Sequence, residues 1–186
     1  MSRLVAVTGA TGFVGGHIAR AFSQAGWRVR ILCRRLPLSP LLADILPEVV
    51  PGSLADDPAL RRLVRGADAV VHAAGLVRAR DAVEFYRANA HGTERMVDAA
   101  REASPGTRFV LISSLSAREP ALSDYAGSKR AGEVELERAG DALDWTILRP
   151  PAVYGEEDRE FLPFFRMATA GWLAAPANGA ARLSLI

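Results

Sequence analysis

The stretch that decides the fold is Thr8-Gly9-Ala10-Thr11-Gly12-Phe13-Val14-Gly15, which follows the short apolar run Leu4–Val7. Its three glycines stand three residues apart, a spacing that permits a tight turn and a close approach of the backbone to a bound group. Apolar residues then recur at helical spacing from Val14 to Phe22, and Gly26 follows as a helix stop. Because free N–H groups at a helix start bind phosphate, this strand, turn and helix predict a dinucleotide diphosphate site.

Beyond this turn the chain alternates short apolar runs with longer amphipathic stretches, as a parallel sheet with crossover helices requires. A helical pattern extends from Asp81 to about Ala103, with apolar residues recurring every three or four positions from Val83 and Tyr86 onward. We therefore expect an α/β fold with a doubly wound parallel sheet, Rossmann-like, in three α/β/α layers. The expected strands are Leu4–Val7, Arg28–Cys33, Val49–Val50, Ala69–His72, Arg108–Ile112 and Trp145–Leu148.

The composition changes at Arg149-Pro150-Pro151, where two prolines end the expected sixth strand. We interpret residues 1–150 as a dinucleotide-binding domain and residues 151–186 as the start of an incomplete substrate-binding lobe. This second part is expected to contain a loop, a helix around Asp158–Ala170, Gly/Ala/Pro-rich turns and the beginning of a strand at Arg182–Ile186.

Composition and charge argue against several functional classes. The chain has 23 basic and 21 acidic residues, and its net charge of +2 is too small to indicate nucleic acid or an anionic membrane. Cys33 is the only cysteine, which fits a reducing cytoplasm, and no apolar stretch is long enough to suggest a signal peptide or a membrane span. His17, His72 and His91 have no partners at ligand spacing, so no metal site is expected.

Together with later segments, the glycine turn resembles the extended short-chain dehydrogenase/reductase family, which typically opens with Thr-Gly-x-x-Gly-Phe-x-Gly. The other matching segments follow in the family's order: Asp68–Gly75 for the fourth strand and its cofactor-contacting turn, Asn89–Thr93 for Asn-x-x-Gly-Thr, Ser113-Ser114 after the fifth strand, Tyr125–Lys129 for Tyr-x-x-x-Lys, and Arg149–Gly155 after the sixth strand. The resemblance implies an NAD(P)-dependent oxidoreductase, epimerase or dehydratase that moves a hydride at an alcohol or carbonyl carbon. Its substrate would be a small molecule, such as a nucleotide sugar, and a homodimer is one assembly that the resemblance allows.

The resemblance also assigns the cofactor contacts, and the end of the second strand bears on the choice of cofactor. Where NAD enzymes usually carry an acid for the adenosine ribose, this chain has Arg34 and Arg35. Two guanidiniums suit a ribose 2′-phosphate, so NADP is favoured and NAD is the alternative. Ser53 replaces the aspartate of the family's usual Gly-Asp-Leu, which weakens or replaces an adenine contact. The implied contacts are Gly9, Thr11, Gly12, Phe13, Val14, Arg34, Arg35, Ser53, Leu54, Ala73, Ala74, Gly75, Tyr125 and Lys129.

Tyr125 and Lys129 lie four residues apart and therefore share one face of a helix. A lysine ammonium beside a phenol favours the phenolate, which suits proton transfer near neutral pH. In the family, the tyrosine exchanges a proton with the substrate oxygen and the lysine contacts the nicotinamide ribose. The second serine of its pair, Ser114, is the expected partner of that oxygen, with Ser113 the less favoured choice. Asn89 would fix the local backbone or a water relay.

Two functional classes remain open. The intact Tyr125, Lys129 and Ser114 favour an enzyme, because a protein that only binds the dinucleotide needs no proton-transfer pair. The alternative is a non-catalytic NAD(P)-binding regulator, or a subunit resembling the nucleotide-binding accessory subunit of respiratory complex I. Since most of the family's substrate lobe would follow Ile186, the chain is either a fragment or works without that lobe. We expect this chain alone to fold and bind cofactor without turning over a substrate.

Overall fold

The computed structural model describes residues 2–35, 40–103, 106–172 and 184–186. Contacts between residues divide the chain into two compact units, Met1–Arg149 and Pro150–Ile186. The first unit holds the six-stranded sheet, and the described residues of the second form one α-helix and a short parallel bridge.

Six parallel strands form one sheet in the first unit, in the order β3-β2-β1-β4-β5-β6. The strands are β1 Leu4–Thr8, β2 Arg28–Cys33, β3 Glu48–Pro51, β4 Ala69–His72, β5 Arg108–Ile112 and β6 Asp144–Leu148. The order reverses between β1 and β4, which leaves a crevice outside the carboxyl ends of these two strands. The expected doubly wound, Rossmann-like fold is confirmed, and the six strands differ from the expectation only at their ends.

Helices cover both faces of this sheet. Those of the first unit are α1 Phe13–Gln24, α2 Asp57–Val64, α3 Ala82–Tyr86, α4 Gly92–Ala103 and α5 Asp124–Glu137. Side chains along β1 alternate between two apolar clusters on opposite faces of the sheet. Leu4 and Ala6 pack with α2, α4 and α5, whereas Val5 and Val7 pack with α1. Val5 and Val7 are fully buried, and each contributes about 1.5–3 kcal/mol, so burial on both faces explains why β1 is a continuous apolar run.

The helical pattern expected over Asp81–Ala103 is present, but it is not one regular α-helix. A π-helical segment, Arg87–His91, joins α3 to α4. Its wider turn shifts the apolar stripe around the axis, so Val83 is 64% exposed and Tyr86 is 38% exposed instead of facing the core as the pattern indicated. The residues after the segment keep their expected burial, as Val97 does.

The second unit contains α6, Leu162–Thr169, which begins later than the expected helix around Asp158–Ala170. The reason is local: the Asp158 carboxylate accepts the Glu160 N–H at 2.8 Å and the Phe161 N–H at 3.2 Å, which forms a turn, and Pro163 is tolerated only in the first helical turn. A parallel bridge pairs Ala152 with Leu185. The expected strand at Arg182–Ile186 lies partly outside the described residues, and the expected Gly/Ala/Pro-rich turns before it also lie outside them. Every helix in the described part of the chain is too short or too polar to span a bilayer.

Candidate active site

The glycine turn between β1 and α1 is packed so closely that side chains are excluded from two of its positions. Gly9 has a φ of 74°, and a Cβ there would lie 2.6 Å from the Ala74 nitrogen and 2.7 Å from the Ala73 carbonyl carbon. A Cβ on Gly15 would overlap the carbonyl oxygen of Gly9. The turn therefore needs glycine in order to pass beside the backbone that follows β4.

The first turn of α1 presents backbone N–H groups at the same edge of the sheet. Gly12 occupies the N-cap position and so supplies no side chain to these N–H groups, and the first helical turn carries no acidic residue. Thr11 and Gly12 are exposed, while Phe13 and Val14 are partly buried. N–H groups without a side-chain cap, at the positive end of the helix dipole, attract an anion. The turn thus fits a diphosphate.

A buried histidine ties the glycine turn to the turn after β4. His72 is fully buried, and its Nδ1 lies 2.6 Å from the Thr8 hydroxyl oxygen, which also accepts the Ala74 N–H at 3.3 Å. Burial, and to a lesser degree the nearby charge of Lys129, lowers the pKa of His72 to about 3. The imidazole is therefore neutral at physiological pH and links the two turns structurally.

The turn after β4 contains predicted cofactor-binding residues and lies close to the predicted catalytic lysine. Ala73, Ala74 and Gly75 follow β4 directly. A Cβ on Gly75 would lie 2.8 Å from the Asn89 Oδ1 and 3.7 Å from the Lys129 Nζ. A group lying along this turn is thus within reach of the lysine ammonium.

The predicted adenine side lies at the carboxyl ends of β2 and β3. Arg34 and Arg35 follow β2 and are exposed. The Gly52 N–H donates to the carbonyl of the last β2 residue at 3.1 Å. The segment that follows β3 therefore begins next to the point where Arg34 and Arg35 follow β2. The Ser53 hydroxyl accepts a backbone N–H of its own turn, and Leu54 packs against the hydrophobic core.

Tyr125 and Lys129 both lie on α5. Tyr125 is partly exposed, and its ring centroid is 5.9 Å from that of Phe85. Lys129 is only 9% exposed, and its Nζ donates to the Ile112 carbonyl, at the end of β5, at 2.8 Å. Burial, opposed in part by the charge of Glu133, lowers the pKa of Lys129 to about 8. The candidate lysine therefore holds an ammonium that loses its proton near physiological pH.

The two serines after β5 have different surroundings. Ser113 is buried, and its hydroxyl donates to a Glu133 carboxylate oxygen at 2.5 Å. Ser114 is partly exposed, and its hydroxyl oxygen accepts the Ser116 N–H at 3.2 Å at the start of a 3₁₀ turn. The difference in exposure favours Ser114 over Ser113 as the serine that meets a substrate.

Asn89 lies in the π-helical segment and is 3% exposed. Its side-chain amide accepts the Leu76 N–H at 2.8 Å and donates to the Leu76 carbonyl at 3.0 Å and to the Ser128 hydroxyl at 2.9 Å. Ser128 in turn donates to the Tyr125 carbonyl at 2.8 Å. Asn89 thus fixes the local backbone. Sequence reasoning missed Ser128, whose only signal was a small polar residue beside Lys129.

Two further residues that sequence reasoning missed are Glu133 and Arg149. Glu133 stands one helical turn after Lys129 on α5, and Arg149 follows β6. They form a direct ion pair, with 2.6 Å between the Arg149 Nη2 and the Glu133 Oε2. The spacing of four residues from Lys129 to Glu133 was visible in the sequence, but nothing indicated that the carboxylate is buried.

The sheet order, the glycine turn at its switch point and the buried lysine are those of a Rossmann-type protein of the short-chain dehydrogenase/reductase class. The chain belongs to the NAD dependent epimerase/dehydratase family, whose model matches residues 5–179. The resemblance inferred from the sequence is confirmed.

Individual relatives cover this chain well but extend beyond it. The chain is 47% identical over 183 residues to the ceramide reductase of Caulobacter vibrioides (strain NA1000 / CB15N), which covers 98% of this chain and 56% of the relative. It is 30% identical over 165 residues to NADH dehydrogenase (ubiquinone) 1 alpha subcomplex subunit 9, mitochondrial, of Arabidopsis thaliana, which covers 85% of this chain and 40% of the relative. The solved structure of MoeE5 in complex with UDP-glucose and NAD has a TM-score of 0.74 at 27% identity, covering 91% of this chain and 60% of that one. The chain thus spans about half the length of the curated relatives it matches.

Proposed function

We propose that this chain forms the dinucleotide-binding part of an NAD(P)-dependent reductase in which Tyr125, Lys129 and Ser114 make up the catalytic group. The observation that carries the proposal is the position of Lys129, whose buried Nζ donates to the carbonyl at the end of β5 and lies close to Gly75. Burying an ammonium is unfavourable, so a buried lysine beside the crevice indicates a function there.

A bound nicotinamide dinucleotide would supply the hydride, and backbone groups of the first unit would hold it. We assign the diphosphate to Gly9 and the range Thr11–Val14, because this turn has room for backbone but not for side chains and leaves N–H groups without a side-chain cap. We assign the nicotinamide half to the turn Ala73–Gly75, because it leads towards Lys129.

The choice between NADP and NAD depends on the end of β2. The exposed guanidiniums of Arg34 and Arg35 would pair with a 2′-phosphate, which supports NADP. The bound NAD of MoeE5 supports the alternative. Ser53 and Leu54 are assigned to the adenine side, where the serine offers a hydroxyl in place of the family's carboxylate.

Three side chains would carry out the proton transfer and stabilise the substrate oxygen. Tyr125 would donate its phenolic proton to the carbonyl oxygen as hydride arrives at the carbonyl carbon, and water would then reprotonate the phenolate. The Lys129 ammonium, one helical turn away, favours that phenolate. Ser114, partly exposed at the end of β5, would donate a hydrogen bond to the developing oxyanion.

A ceramide-like lipid is the substrate class that the relatives support best. The 47% identity to ceramide reductase extends over 98% of this chain, whereas MoeE5, bound to UDP-glucose, is 27% identical. We infer that Pro150–Ile186 begins the lobe that receives the substrate, and the 58% exposure of Phe164 and 73% exposure of Trp172 suit an apolar partner. A nucleotide sugar is the second class to test, and a cytoplasmic homodimer remains a prediction.

Tyr125→Phe in the intact protein tests the catalytic assignment, with a short-chain ceramide and NADP as reactants and the appearance of reduced nicotinamide as the readout. We expect kcat to fall on the order of 100- to 10,000-fold, because in this direction Tyr125 takes up the proton of the alcohol and phenylalanine cannot. Affinity for NADPH should stay within about twofold, because the backbone cradle is intact. Tyr86→Phe removes a phenolic hydroxyl from α3 and is the matched control, expected to keep full activity.

The second candidate is a protein that binds the dinucleotide without chemistry, which the similarity to the Arabidopsis NADH dehydrogenase subunit favours. Under that hypothesis Tyr125→Phe leaves the protein's function unchanged, and neither ceramide nor UDP-glucose is converted. Retained NADPH binding with unchanged function would therefore replace the reductase by a binding subunit.

A further inference from the structure

Glu133 is a buried carboxylate on α5 that the reductase mechanism does not use. Its side chain has no exposed surface. Arg149 binds it with two parallel hydrogen bonds, from Nε at 2.8 Å and from Nη2 at 2.6 Å, one to each carboxylate oxygen. The Ser113 hydroxyl adds a third hydrogen bond, and Arg130 adds a fourth at 3.1 Å.

These partners keep the carboxylate charged. Burial by itself would raise the pKa of Glu133, but the hydrogen bonds from Arg149, Ser113 and Arg130 outweigh burial and hold the pKa below its usual value. A buried ion pair of this kind is weak evidence for stability, because well-packed apolar side chains would stabilise the fold about as well. Stability alone therefore does not explain why Glu133 is buried at this place, and its contacts indicate its role.

The contacts of Glu133 converge on the residues that present the catalytic group. Ser113 directly precedes Ser114, and its N–H donates to the Leu148 carbonyl at 2.8 Å, next to Arg149. On the other side, Lys129 stands one turn before Glu133 on the same helix and donates to the Ile112 carbonyl, next to Ser113. Glu133 thus joins α5 to the carboxyl ends of β5 and β6.

We propose that Glu133 is a positioning residue, which acts through Ser113 and Arg149 to hold the end of β5, and with it Ser114, in register with Lys129 on α5. The role in turnover rests on the proposed reductase function. The bidentate fork and the serine hydroxyl fix direction as well as distance, and displacement of a catalytic group by about 1 Å can lower a rate on the order of 100-fold.

The first test compares Glu133→Gln, Ser113→Ala and the control Glu137→Gln in the intact protein with ceramide and NADP. Glu137 is the matched control because it shares Arg130 with Glu133 but is exposed. We expect kcat to fall on the order of 10- to 100-fold for Glu133→Gln and less for Ser113→Ala. KM and NADPH affinity should change by less than about threefold, and Glu137→Gln should match the wild type.

A second readout does not require turnover. Lys129 is the only lysine among residues 1–186, so selective isotope labelling of lysine gives an NMR signal that its loss in Lys129→Met assigns, and this signal reports the environment and titration of Lys129. The charged group that acts on its pKa is Glu133 on the same helix, and Lys129 in turn lowers the pKa of the buried His72 of β4. Because the Glu133 charge raises the pKa of Lys129, Glu133→Gln should move the titration below a pH of about 8. Ser113→Ala should shift the signal without that change.

The outcomes separate this proposal from the reductase function. A shifted Lys129 signal in Glu133→Gln and Ser113→Ala, with Glu137→Gln unchanged, supports the positioning role even where Tyr125→Phe shows that the protein is only a binder. If Ser113→Ala keeps both its kcat and its Lys129 signal, the proposal is overturned. It is equally overturned if Glu133→Gln loses activity only in proportion to its loss of folded protein.

Discussion

The turn after β1 and the turn after β5 lie at the same edge of the sheet but differ in whether backbone or side-chain atoms form them. The first is made of backbone: Gly9 and Gly15 leave no room for a Cβ, and Gly12 provides no side-chain cap. The second is made of side chains, since Lys129 and Glu133 are buried beside the strand ends that they hold. A backbone surface suits a ligand that is held by its phosphates, whereas buried side chains suit a reaction that needs a placed proton.

The two turns are also expected to respond differently to amino-acid substitution. A substitution in the glycine turn acts by volume, because the nearest atoms are backbone atoms that cannot rotate away. A substitution at the β5 edge acts through charge and direction, because it leaves buried polar partners unpaired. The following predictions use that contrast.

The largest effect is expected from Gly9→Ala. The new Cβ would lie 2.6 Å from backbone atoms of the neighbouring turn, so the turn must move and lose its fit to the diphosphate. We expect NADPH affinity, measured by fluorescence titration, to fall at least on the order of 100-fold, or about 2.7 kcal/mol. Gly66→Ala is the control, because its φ is also positive at 65° but no atom lies near the added Cβ. It should lower stability by about 1 kcal/mol and leave affinity unchanged.

An intermediate effect is expected from replacing Arg34 and Arg35 with Gln. If the pair holds a 2′-phosphate, NADPH affinity falls roughly 10- to 100-fold while NADH affinity changes by less than about threefold. Isothermal titration with both cofactors measures the ratio. Arg62→Gln, an exposed arginine on α2, should change neither affinity. Equal losses for NADPH and NADH in the double variant would contradict the NADP assignment.

The smallest effect concerns the stability of the side-chain region. Lys129→Met removes an ammonium that burial disfavours, and we expect the free energy of unfolding at neutral pH to rise by about 1–2 kcal/mol. The folded pKa of Lys129 is lowered from 10.5 to about 8, so the unfolded chain binds more protons between these values. Wild-type stability therefore gains on the variant as pH rises through this range.

Denaturant unfolding at several pH values measures this difference. Arg138→Met, at the exposed end of α5, is the control and should change stability by less than about 0.5 kcal/mol. A destabilised Lys129→Met at neutral pH would show that the hydrogen bond to Ile112 outweighs the burial of charge.

The shape of the glycine turn could be predicted from the sequence because its signals are local. The glycine spacing, the apolar run before it and the helical stripe after it all lie within one short segment, Leu4–Phe22. The doubly wound parallel sheet could be predicted from the alternation of apolar runs with helical patterns.

The side-chain half could not be predicted in the same way. Ser113 and Glu133 are 20 residues apart in sequence, and Asn89 and Ser128 are 39 apart. No local sequence pattern therefore predicts either contact. Nor does any residue type mark the π-helical segment that turns Val83 outward. Polar residues on a helix are usually solvated, and a single sequence does not show which of them is buried.

The most direct test of the account is a crystal structure of the intact protein with NADP. The account predicts the diphosphate on the N–H groups of Thr11–Val14 and the nicotinamide in contact with Tyr125 and Lys129. A dinucleotide bound elsewhere, or a nicotinamide directed away from α5, would contradict it.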